Sequence, residues 1–288
     1  MNKIDHNILQ NIIIVGATGV GKSDLADLLA LKYNAEIVNA DMGQLYTPLN
    51  IGTAKPDLDN VKVKHHLFNI IDEPVDFTAL DYKRELLKTV FEINSRNKVA
   101  IIVGGSHFYI QSLLFSLTEF VGKTDFTGGS WLELQKIDAE RASKIHQNDQ
   151  YRIDRALGIY YSTGQKPSNY EPIYNPPWNY KLIVVNRKKL TLEKRIIQRI
   201  DLMLASGWYQ EAQNFKNSIW ESFIIKKGLI GYDKLMDTDN PEKVKQLLIN
   251  ETLQYAKIQK TFIKALLKKI CKQEVNSKKV QISLIWLS

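Results

Sequence analysis

A glycine-rich segment between an apolar run and a helical pattern sets the strongest limit on the fold of this chain. It fits the pattern G-x-x-x-x-G-K-[ST] with the residues Gly16, Ala17, Thr18, Gly19, Val20, Gly21, Lys22 and Ser23. The glycines let backbone N–H groups converge on phosphate oxygens, and the N-terminus of the following helix adds positive potential. Lys22 supplies a point charge, and the Ser23 hydroxyl can bind Mg²⁺ beside a diphosphate. The segment therefore predicts a strand–loop–helix unit that binds a di- or triphosphate.

Apolar runs and helical patterns alternate around this loop. Strands of a parallel sheet are predicted at residues 12–15, 36–40, 99–103 and 182–185, with a last strand signal at 280–286. Helices are predicted from Lys22 to Tyr33, with Leu25, Leu28 and Leu29 on one face, and at 79–94, 191–205, 208–217 and 241–271. This alternation predicts an α/β fold, a P-loop NTPase-like parallel sheet flanked by helices, with a helical C-terminal part.

Residues 116–148 interrupt this alternation, because a loop-like stretch is followed there by a polar helical pattern. We interpret the segment as a small helical insertion on a core formed by residues 1–115 and 149–288. Cys271 is the single cysteine, which excludes a disulfide framework and a cysteine-rich zinc site. Neither a secretory signal nor an apolar run long enough to span a bilayer is visible. We therefore expect a soluble, cytoplasmic protein that has no contact with a membrane.

Positive charge is concentrated in the C-terminal third of the chain. Residues 181–288 contain 21 Lys or Arg and 10 Asp or Glu, whereas residues 1–180 contain 18 and 21. A lysine-rich, solvated helical surface would explain this balance. A surface that binds the phosphate backbone of a nucleic acid would explain it equally well.

The strand ends do not decide the reaction by themselves. Nucleotide hydrolases and kinases place an acidic partner of Mg²⁺ at the end of a strand, but residues 99–103 are followed by Gly104, Gly105 and Ser106. The run 36–40 is followed by Asp41, which could act as a metal partner or as a base. His65 and His66 are adjacent but have no cluster of Cys or carboxylates nearby, so we interpret them as structural and predict no zinc site.

Several longer motifs resemble the tRNA dimethylallyltransferase (isopentenyltransferase) family, in its bacterial type without a zinc finger. They are Asp41-Met42-Gly43-Gln44-Leu45-Tyr46, Ile51-Gly52-Thr53-Ala54-Lys55-Pro56, His65-His66-Leu67, Val103-Gly104-Gly105-Ser106-His107-Phe108-Tyr109, the run from Asn148 to Leu157, Thr163-Gly164, Arg195-Ile196-Ile197-Gln198-Arg199, Met203, Gly207, Ile230-Gly231-Tyr232 and Gln254-Tyr255-Ala256-Lys257. The resemblance implies transfer of a dimethylallyl group from dimethylallyl diphosphate to the exocyclic amine of the adenosine just 3′ of the tRNA anticodon. A monomer is expected.

The same resemblance implies roles for individual residues. Asp41 matches the family's base, Ser106 is expected near the reactive adenosine, and Arg199 with the phosphate loop and Mg²⁺ on Ser23 is expected to stabilise the leaving diphosphate. Thr53 and Lys55 could either hold phosphate or order the loop around Asp41. The tRNA anticodon stem-loop is expected to contact Asp41, Met42, Gly43, Gln44, Tyr151, Arg152, Ile153, Asp154, Arg155, Gly231, Tyr232, Lys257, Lys260 and Lys264, and the insertion.

The sequence departs from the family at several positions expected to contact RNA. Met42-Gly43 replaces a common Ser-Arg pair, Asp233 replaces a basic residue, and Leu253, Ile258 and Phe262 replace two arginines and a tryptophan. These changes predict an active enzyme that binds tRNA more loosely. Two other functions stay open on the residues alone: a small-molecule kinase that turns over ATP without RNA, and a non-catalytic relative that only binds tRNA.

Overall fold

A computed structural model describes residues 10–116, 126–170, 172–273 and 280–287 of the chain. The chain divides into two compact units: Met1–Leu113 together with Pro176–Ser288, and Leu114–Asn175. The second unit is larger than the insertion predicted at 116–148, because residues 149–175 also belong to it. Part of the predicted loop, together with the first residues of the chain, lies outside the described residues.

The first unit is built on one six-stranded parallel sheet. Its strands are β1 (Asn11–Gly16), β2 (Ala35–Asn39), β3 (His65–His66), β4 (Val99–Val103), β5 (Tyr180–Arg187) and β6 (Val280–Leu287). Their order across the sheet is β3-β2-β4-β1-β5-β6, and every neighbouring pair is parallel. Strands β1, β2 and β4 are buried along their whole length, as expected for strands covered by helices on both faces. The predicted α/β class is confirmed.

Eleven α-helices lie in the described residues. They are α1 (Lys22–Tyr33), α2 (Ala79–Ser95), α3 (His107–Leu114), α4 (Trp131–Ile137), α5 (Ala139–Ala142), α6 (Gln150–Thr163), α7 (Lys189–Ala205), α8 (Trp208–Phe215), α9 (Ile219–Lys227), α10 (Tyr232–Met236) and α11 (Lys245–Gln273). None of them is both long and apolar enough to cross a membrane. Short 3₁₀ turns lie at Gly43–Leu45, Pro167–Asn169 and Pro241–Lys243, and the last of these delays the start of α11 relative to the predicted helix at 241–271.

Helix α1 buries a different face from the one that we predicted. Ala26 and Ala30 are fully buried, whereas Leu28 is 66% exposed. The small side chains allow the helix after the phosphate loop to lie close against the sheet, which a row of leucines would prevent. The prediction that Leu28 lies on the buried face was therefore wrong.

Strand β3 was not predicted, because two residues carry no periodic signal. His65 and His66 pair with Ile37 and Val38 of β2. The Nε2 atom of His66 also lies 2.6 Å from Oε2 of the buried Glu36. Both histidines therefore have a structural role at the edge of the sheet.

The second unit has its own small core. Its buried members come from α4, α5, α6 and the residues between them: Leu134, Ala142, Ile145, Ile153, Ala156 and Leu157. The indole Nε1 of Trp131 donates hydrogen bonds to the carbonyl oxygens of Ala142 and Ile145, at 3.2 and 3.0 Å. Helix α6 supplies half of the six buried residues, which is the reason that the unit extends beyond the predicted boundary at residue 148.

Candidate active site

Three loops meet at the edge of the sheet where the parallel strands end. The phosphate loop follows β1, the segment that begins at Ala40 follows β2, and Gly104–Ser106 follows β4. The backbone joins the last two loops directly: the N–H of Ala40 donates to the carbonyl of Val103 at 2.8 Å, and the N–H of Ser106 donates to the carbonyl of Ala40 at 3.1 Å. Ligands of open α/β sheets bind at this edge, so the residues predicted from separate motifs converge at one site.

The phosphate loop has the conformation that its glycines allow. Gly19 and Gly21 have φ angles of 77° and 97°, a left-handed region that disfavours side chains. Lys22 is partly buried, and its Nζ donates to the carbonyl of Ala17 at 2.8 Å. The pKa of Lys22 is lowered to about 8, mainly by burial; Asp41 opposes this shift and the nearby Arg199 adds to it.

Asp41 is fixed by the residue at the end of β2. Its N–H donates to Oδ1 of Asn39 at 2.8 Å, and Nδ2 of Asn39 donates to the carbonyl of Asp41 at 3.0 Å. The carboxylate Oδ1 accepts a hydrogen bond from the N–H of Gly43 at 3.2 Å. Burial raises the pKa of Asp41 above its usual value of 3.8, against the opposing effects of Lys22, the Gly43 N–H and Arg199. A carboxylate in this environment accepts a proton more readily than one in water.

Helix α7 directs two arginines toward the phosphate loop. Nε of Arg195 donates to the carbonyl of Gly19 at 3.0 Å, and its guanidinium pairs with Asp24 at 3.4 Å. Arg199 lies one turn further along, and burial lowers its pKa while Asp41 opposes the shift. Arg199 makes no hydrogen bond or ion pair within the described ranges, so its guanidinium keeps all its donors for a bound anion.

The loop Gly104–Ser106 packs against the segment that carries Asp41. A Cβ atom on Gly104 would lie 2.1 Å from the carbonyl oxygen of Ala40, so only glycine fits at this position. The Ser106 hydroxyl accepts a hydrogen bond from the N–H of Met42 at 2.8 Å. Ser106 therefore holds the backbone beside Asp41, whatever further contact it makes with a substrate.

The hexapeptide Ile51–Pro56 orders the loop rather than presenting a phosphate-binding cation. Nζ of Lys55 donates to the carbonyl oxygens of Tyr46 and Thr47, at 2.8 and 3.2 Å, and to Oδ1 of Asn69. The Thr53 hydroxyl donates to the carbonyl of Leu49 at 2.9 Å. Of the two roles left open by the sequence, the structure therefore supports loop ordering for Lys55 and Thr53.

The comparisons with known proteins agree with this geometry. The sequence model of a family described as IPP transferase matches residues 44–266. The chain belongs to the IPP transferase family. A tRNA dimethylallyltransferase of Geobacter sulfurreducens is 33% identical over 274 residues, with 88% of each chain covered. A tRNA dimethylallyltransferase of Aquifex aeolicus is 33% identical over 254 residues and 83% of each chain.

The fold of this chain is also similar to solved structures of IPP transferases. A crystal structure of a eukaryotic dimethylallyltransferase acting on tRNA has a TM-score of 0.74 and 28% identity, and the match covers 95% of this chain and 73% of that one. The full-length tRNA isopentenylpyrophosphate transferase of Bacillus halodurans has a TM-score of 0.65 and 25% identity, covering 96% and 90%.

The residues predicted to contact tRNA differ in their access to solvent. Exposed or partly exposed members are Tyr151, Arg152 and Arg155 on α6, Lys257, Lys260 and Lys264 on α11, and Met42 and Gln44 after Asp41. Gly43 and the side chains of Ile153 and Tyr232 are buried, at most 1% exposed for the latter two. The buried side chains of Ile153 and Tyr232 are not presented to solvent, and contact of these two residues with RNA stays a prediction. Ile153 packs in the core of the second unit.

Other predicted RNA contacts have a clear partner inside the protein. Oδ1 of Asp154 accepts hydrogen bonds from the N–H of Gly129 at 2.9 Å and from Nε2 of Gln150 at 2.7 Å. The Tyr232 hydroxyl donates to Oε1 of Glu211 at 2.6 Å. Gly231, with φ 82°, precedes α10, and a Cβ there would lie 2.6 Å from the Trp208 ring. Each of these residues therefore orders the part of the protein in which it lies.

Sequence reasoning missed two polar residues that this IPP transferase uses to build the site. The carboxylate of Glu211 accepts the backbone N–H groups of Asn50, Ile51 and Gly52, at 3.1, 2.7 and 3.0 Å. Gln259, 1% exposed on α11, contacts the phosphate loop. A sequence signal existed for Gln259, because it is a polar residue within the buried stripe of α11.

Proposed function

We propose that this protein transfers the dimethylallyl group of dimethylallyl diphosphate to the exocyclic amine of the adenosine 3′-adjacent to the anticodon of tRNA. The observation that supports it most directly is the position of Asp41. This carboxylate with a raised pKa lies beside the Gly104–Ser106 loop, and it is close enough to Lys22 of the phosphate loop and to Arg199 for each to shift its pKa. Membership of the IPP transferase family supplies the substrate class.

The reaction needs a base because the adenine amine is a weak nucleophile. The amine nitrogen forms a bond to C1 of the dimethylallyl group, the C1–O bond breaks, and its electron pair leaves with the diphosphate. The proton released from the amine goes to the Asp41 carboxylate. Burial raises the pKa of Asp41, and a base with a raised pKa takes that proton more effectively in the transition state.

The leaving diphosphate gains charge as the C1–O bond breaks. Backbone N–H groups of the phosphate loop, the Lys22 ammonium and the Arg199 guanidinium provide fixed positive potential at that position. Arg199 makes no hydrogen bond or ion pair within the described ranges, and the Lys22 side chain hydrogen-bonds only the Ala17 carbonyl there, so both can turn to a bound diphosphate. Neither cation forms a direct ion pair with Asp41 in the described part of the chain, so the base stays available to the amine.

A Mg²⁺ ion fits the donor set of the phosphate loop. The exposed Ser23 hydroxyl is a hard oxygen donor next to Lys22. No cluster of three His, Cys, Asp or Glu side chains in the described residues could hold a metal, so the other ligands would be diphosphate oxygens and water. When bound, the ion neutralises charge on the diphosphate.

Two sets of exposed cations are suited to the RNA backbone. Lys257, Lys260 and Lys264 form what we call the lysine stripe, along one side of α11. Arg152 and Arg155 lie on α6 of the second unit beside the exposed ring of Tyr151. Cations of this kind contribute sequence-independent affinity through phosphate contacts, while an exposed tyrosine can stack on an unpaired base.

The deciding experiment is transfer of radiolabelled dimethylallyl diphosphate to an unmodified tRNA in the presence of Mg²⁺. Wild-type protein should label the adenosine next to the anticodon. Asp41→Asn, which keeps the shape of the side chain, should lower kcat by roughly 10²–10⁴. Asp59→Asn is the matched control, since Asp59 is an exposed carboxylate away from the site.

The other outcomes separate the alternative functions. Wild-type protein that binds tRNA without transferring label would indicate a binding-only relative. ATP turnover in the absence of RNA would indicate a small-molecule kinase. Equal rates for Asp41→Asn and wild type would show that Asp41 is not the base.

A further inference from the structure

The side-chain amide of Gln259 connects α11 to two loops of the active site. Its Oε1 accepts the N–H of Thr18 in the phosphate loop at 2.7 Å, and its Nε2 donates to the carbonyl of Gly105 at 3.2 Å. Gln259 is 1% exposed, so these bonds form without competition from water.

The surrounding residues leave this amide little freedom to move. A Cβ atom on Gly105 would lie 2.4 Å from Nε2 of Gln259, so the glycine permits the close approach of the amide. These two hydrogen bonds are costly to break in a buried position, because each lost partner leaves an unsatisfied polar group. Small movements of α11 are therefore transmitted to the phosphate loop and to the loop that carries Ser106.

Helix α11 also carries the lysine stripe. Lys257 and Lys260 flank Gln259 in sequence, and Lys264 follows a turn later, all exposed or partly exposed. One helix thus presents cations to solvent on one side and one hydrogen-bonding amide to the phosphate loop on the other. A ligand bound to the stripe acts on the same rigid element that holds the Thr18 N–H.

We propose that Gln259 is a positioning residue that couples occupancy of the lysine stripe by RNA to diphosphate binding at the phosphate loop. This inference rests on the proposed function and adds a regulatory link between its two substrates. Coupling of this kind is reciprocal: if the diphosphate tightens RNA binding by some factor, RNA tightens diphosphate binding by the same factor. Without the Gln259 bridge, the two sites bind independently.

The test measures that factor directly. The Kd of an anticodon stem-loop RNA is measured with and without saturating inorganic diphosphate and Mg²⁺, and the Kd of inorganic diphosphate with and without the RNA. Wild type is expected to show coupling of about fivefold or more, the lower end of typical allosteric factors. Gln259→Met, which keeps the side-chain volume but removes both hydrogen bonds, should reduce the factor to nearly one.

Two further variants make the result specific. Gln259→Glu keeps an acceptor for the Thr18 N–H but loses the donor to Gly105, and should show intermediate coupling. The negative charge of the new glutamate weakens diphosphate binding to the same extent with and without RNA. This effect therefore cancels in the ratio of the two Kd values. Gln246→Leu is the matched control, an exposed glutamine on the same helix, and should keep the wild-type factor. Thermal unfolding of each variant identifies any loss of fold, and Gln259→Glu still decides the matter if Gln259→Met does not fold.

The outcomes distinguish this inference from the proposed function. Coupling in wild type that survives in both Gln259 variants would overturn the positioning role while leaving the transfer reaction intact. Absence of coupling in a wild-type protein that transfers label would overturn the inference as well. A wild type that binds neither ligand or transfers nothing contradicts the proposed function itself.

Discussion

The phosphate loop and the lysine stripe of α11 are suited to bind phosphate groups in opposite ways. At the phosphate loop, backbone N–H groups and partly buried cations are held by bonds to neighbouring elements, such as Arg195 to Gly19 and Gln259 to Thr18. The stripe consists of exposed or partly exposed lysines that form no ion pair with another described residue. The first region specifies the position of a diphosphate, whereas the second offers charge with little geometric demand.

This difference explains where the sequence of this protein can vary. A substitution near Asp41 or Arg199 alters groups that depend on one another for their pKa values. The loss of one exposed cation from α11 removes only its own contact and can be offset by another lysine nearby. The departures from the family pattern at Asp233, Leu253, Ile258 and Phe262 fall in the C-terminal part. Met42-Gly43 is the exception, because this departure directly follows Asp41.

The largest effect after that of Asp41 is expected from Arg199, whose guanidinium makes no hydrogen bond or ion pair in the described part of the chain. Arg199→Gln should lower kcat by roughly 10²–10³, the usual result of removing one donor to developing charge. The Kd of the stem-loop RNA should not change. Arg199→Lys should recover part of the rate because it keeps the charge, and the exposed Lys194→Gln on α7 is the control. Equal losses of rate in Arg199→Gln and Lys194→Gln would place Arg199 outside the reaction.

A second prediction concerns the stability of the segment that follows Asp41. Glu211→Ala leaves the N–H groups of Asn50, Ile51 and Gly52 and the Tyr232 hydroxyl without their shared acceptor. Urea denaturation should show a loss of about 3 kcal/mol in the free energy of unfolding. The exposed Glu92→Ala on α2 should stay within about 0.5 kcal/mol of wild type. A loss no greater than that of the control would show that the Glu211 contacts contribute little to stability.

The pH dependence tests the electrostatics of the site. Asp41 must be ionised to act as a base, so kcat/KM should fall about tenfold per pH unit below its raised pKa. Lys22 must be protonated to bind diphosphate, so kcat/KM should also fall above its pKa of about 8. Lys22→Arg should remove the alkaline limb, because a guanidinium stays charged in this range. If the alkaline limb persists unchanged in Lys22→Arg, the titration of another group causes it.

Local patterns were sufficient to predict most of the sheet. Short apolar runs separated by helices predict parallel strands, and the carboxyl ends of such strands meet at one edge. Asp41, Ser106 and the phosphate loop each follow one of these strands, but their roles at one site were implied by the family resemblance and not by the patterns alone. The helix bounds differ by only a few residues where a cap or turn intervenes, as at Pro241–Lys243.

The parts that could not be predicted depend on contacts between distant segments. Glu211 lies 159 residues from Gly52 in the chain, and Gln259 lies 241 residues from Thr18. Neither contact leaves a periodic pattern in the sequence. The boundary of the second unit was missed for the same reason, since α6 belongs to it through packing of residues such as Ile153 and Leu157 against α4 and α5.

The smallest effect is expected from the lysine stripe, and it sharpens the contrast with the phosphate loop. Lys257→Gln and Lys264→Gln should each weaken stem-loop binding roughly four- to fivefold near ~0.15 M salt, and each should reduce the salt slope of log Kd by about 1. The kcat at saturating RNA should remain at the wild-type value, because a phosphate contact positions the substrate without taking part in the reaction. Lys88→Gln, an exposed lysine on α2, is the matched control. A salt slope that is the same in all three variants would show that the RNA does not bind the lysine stripe. A loss of kcat would show that the stripe also helps to order the active site.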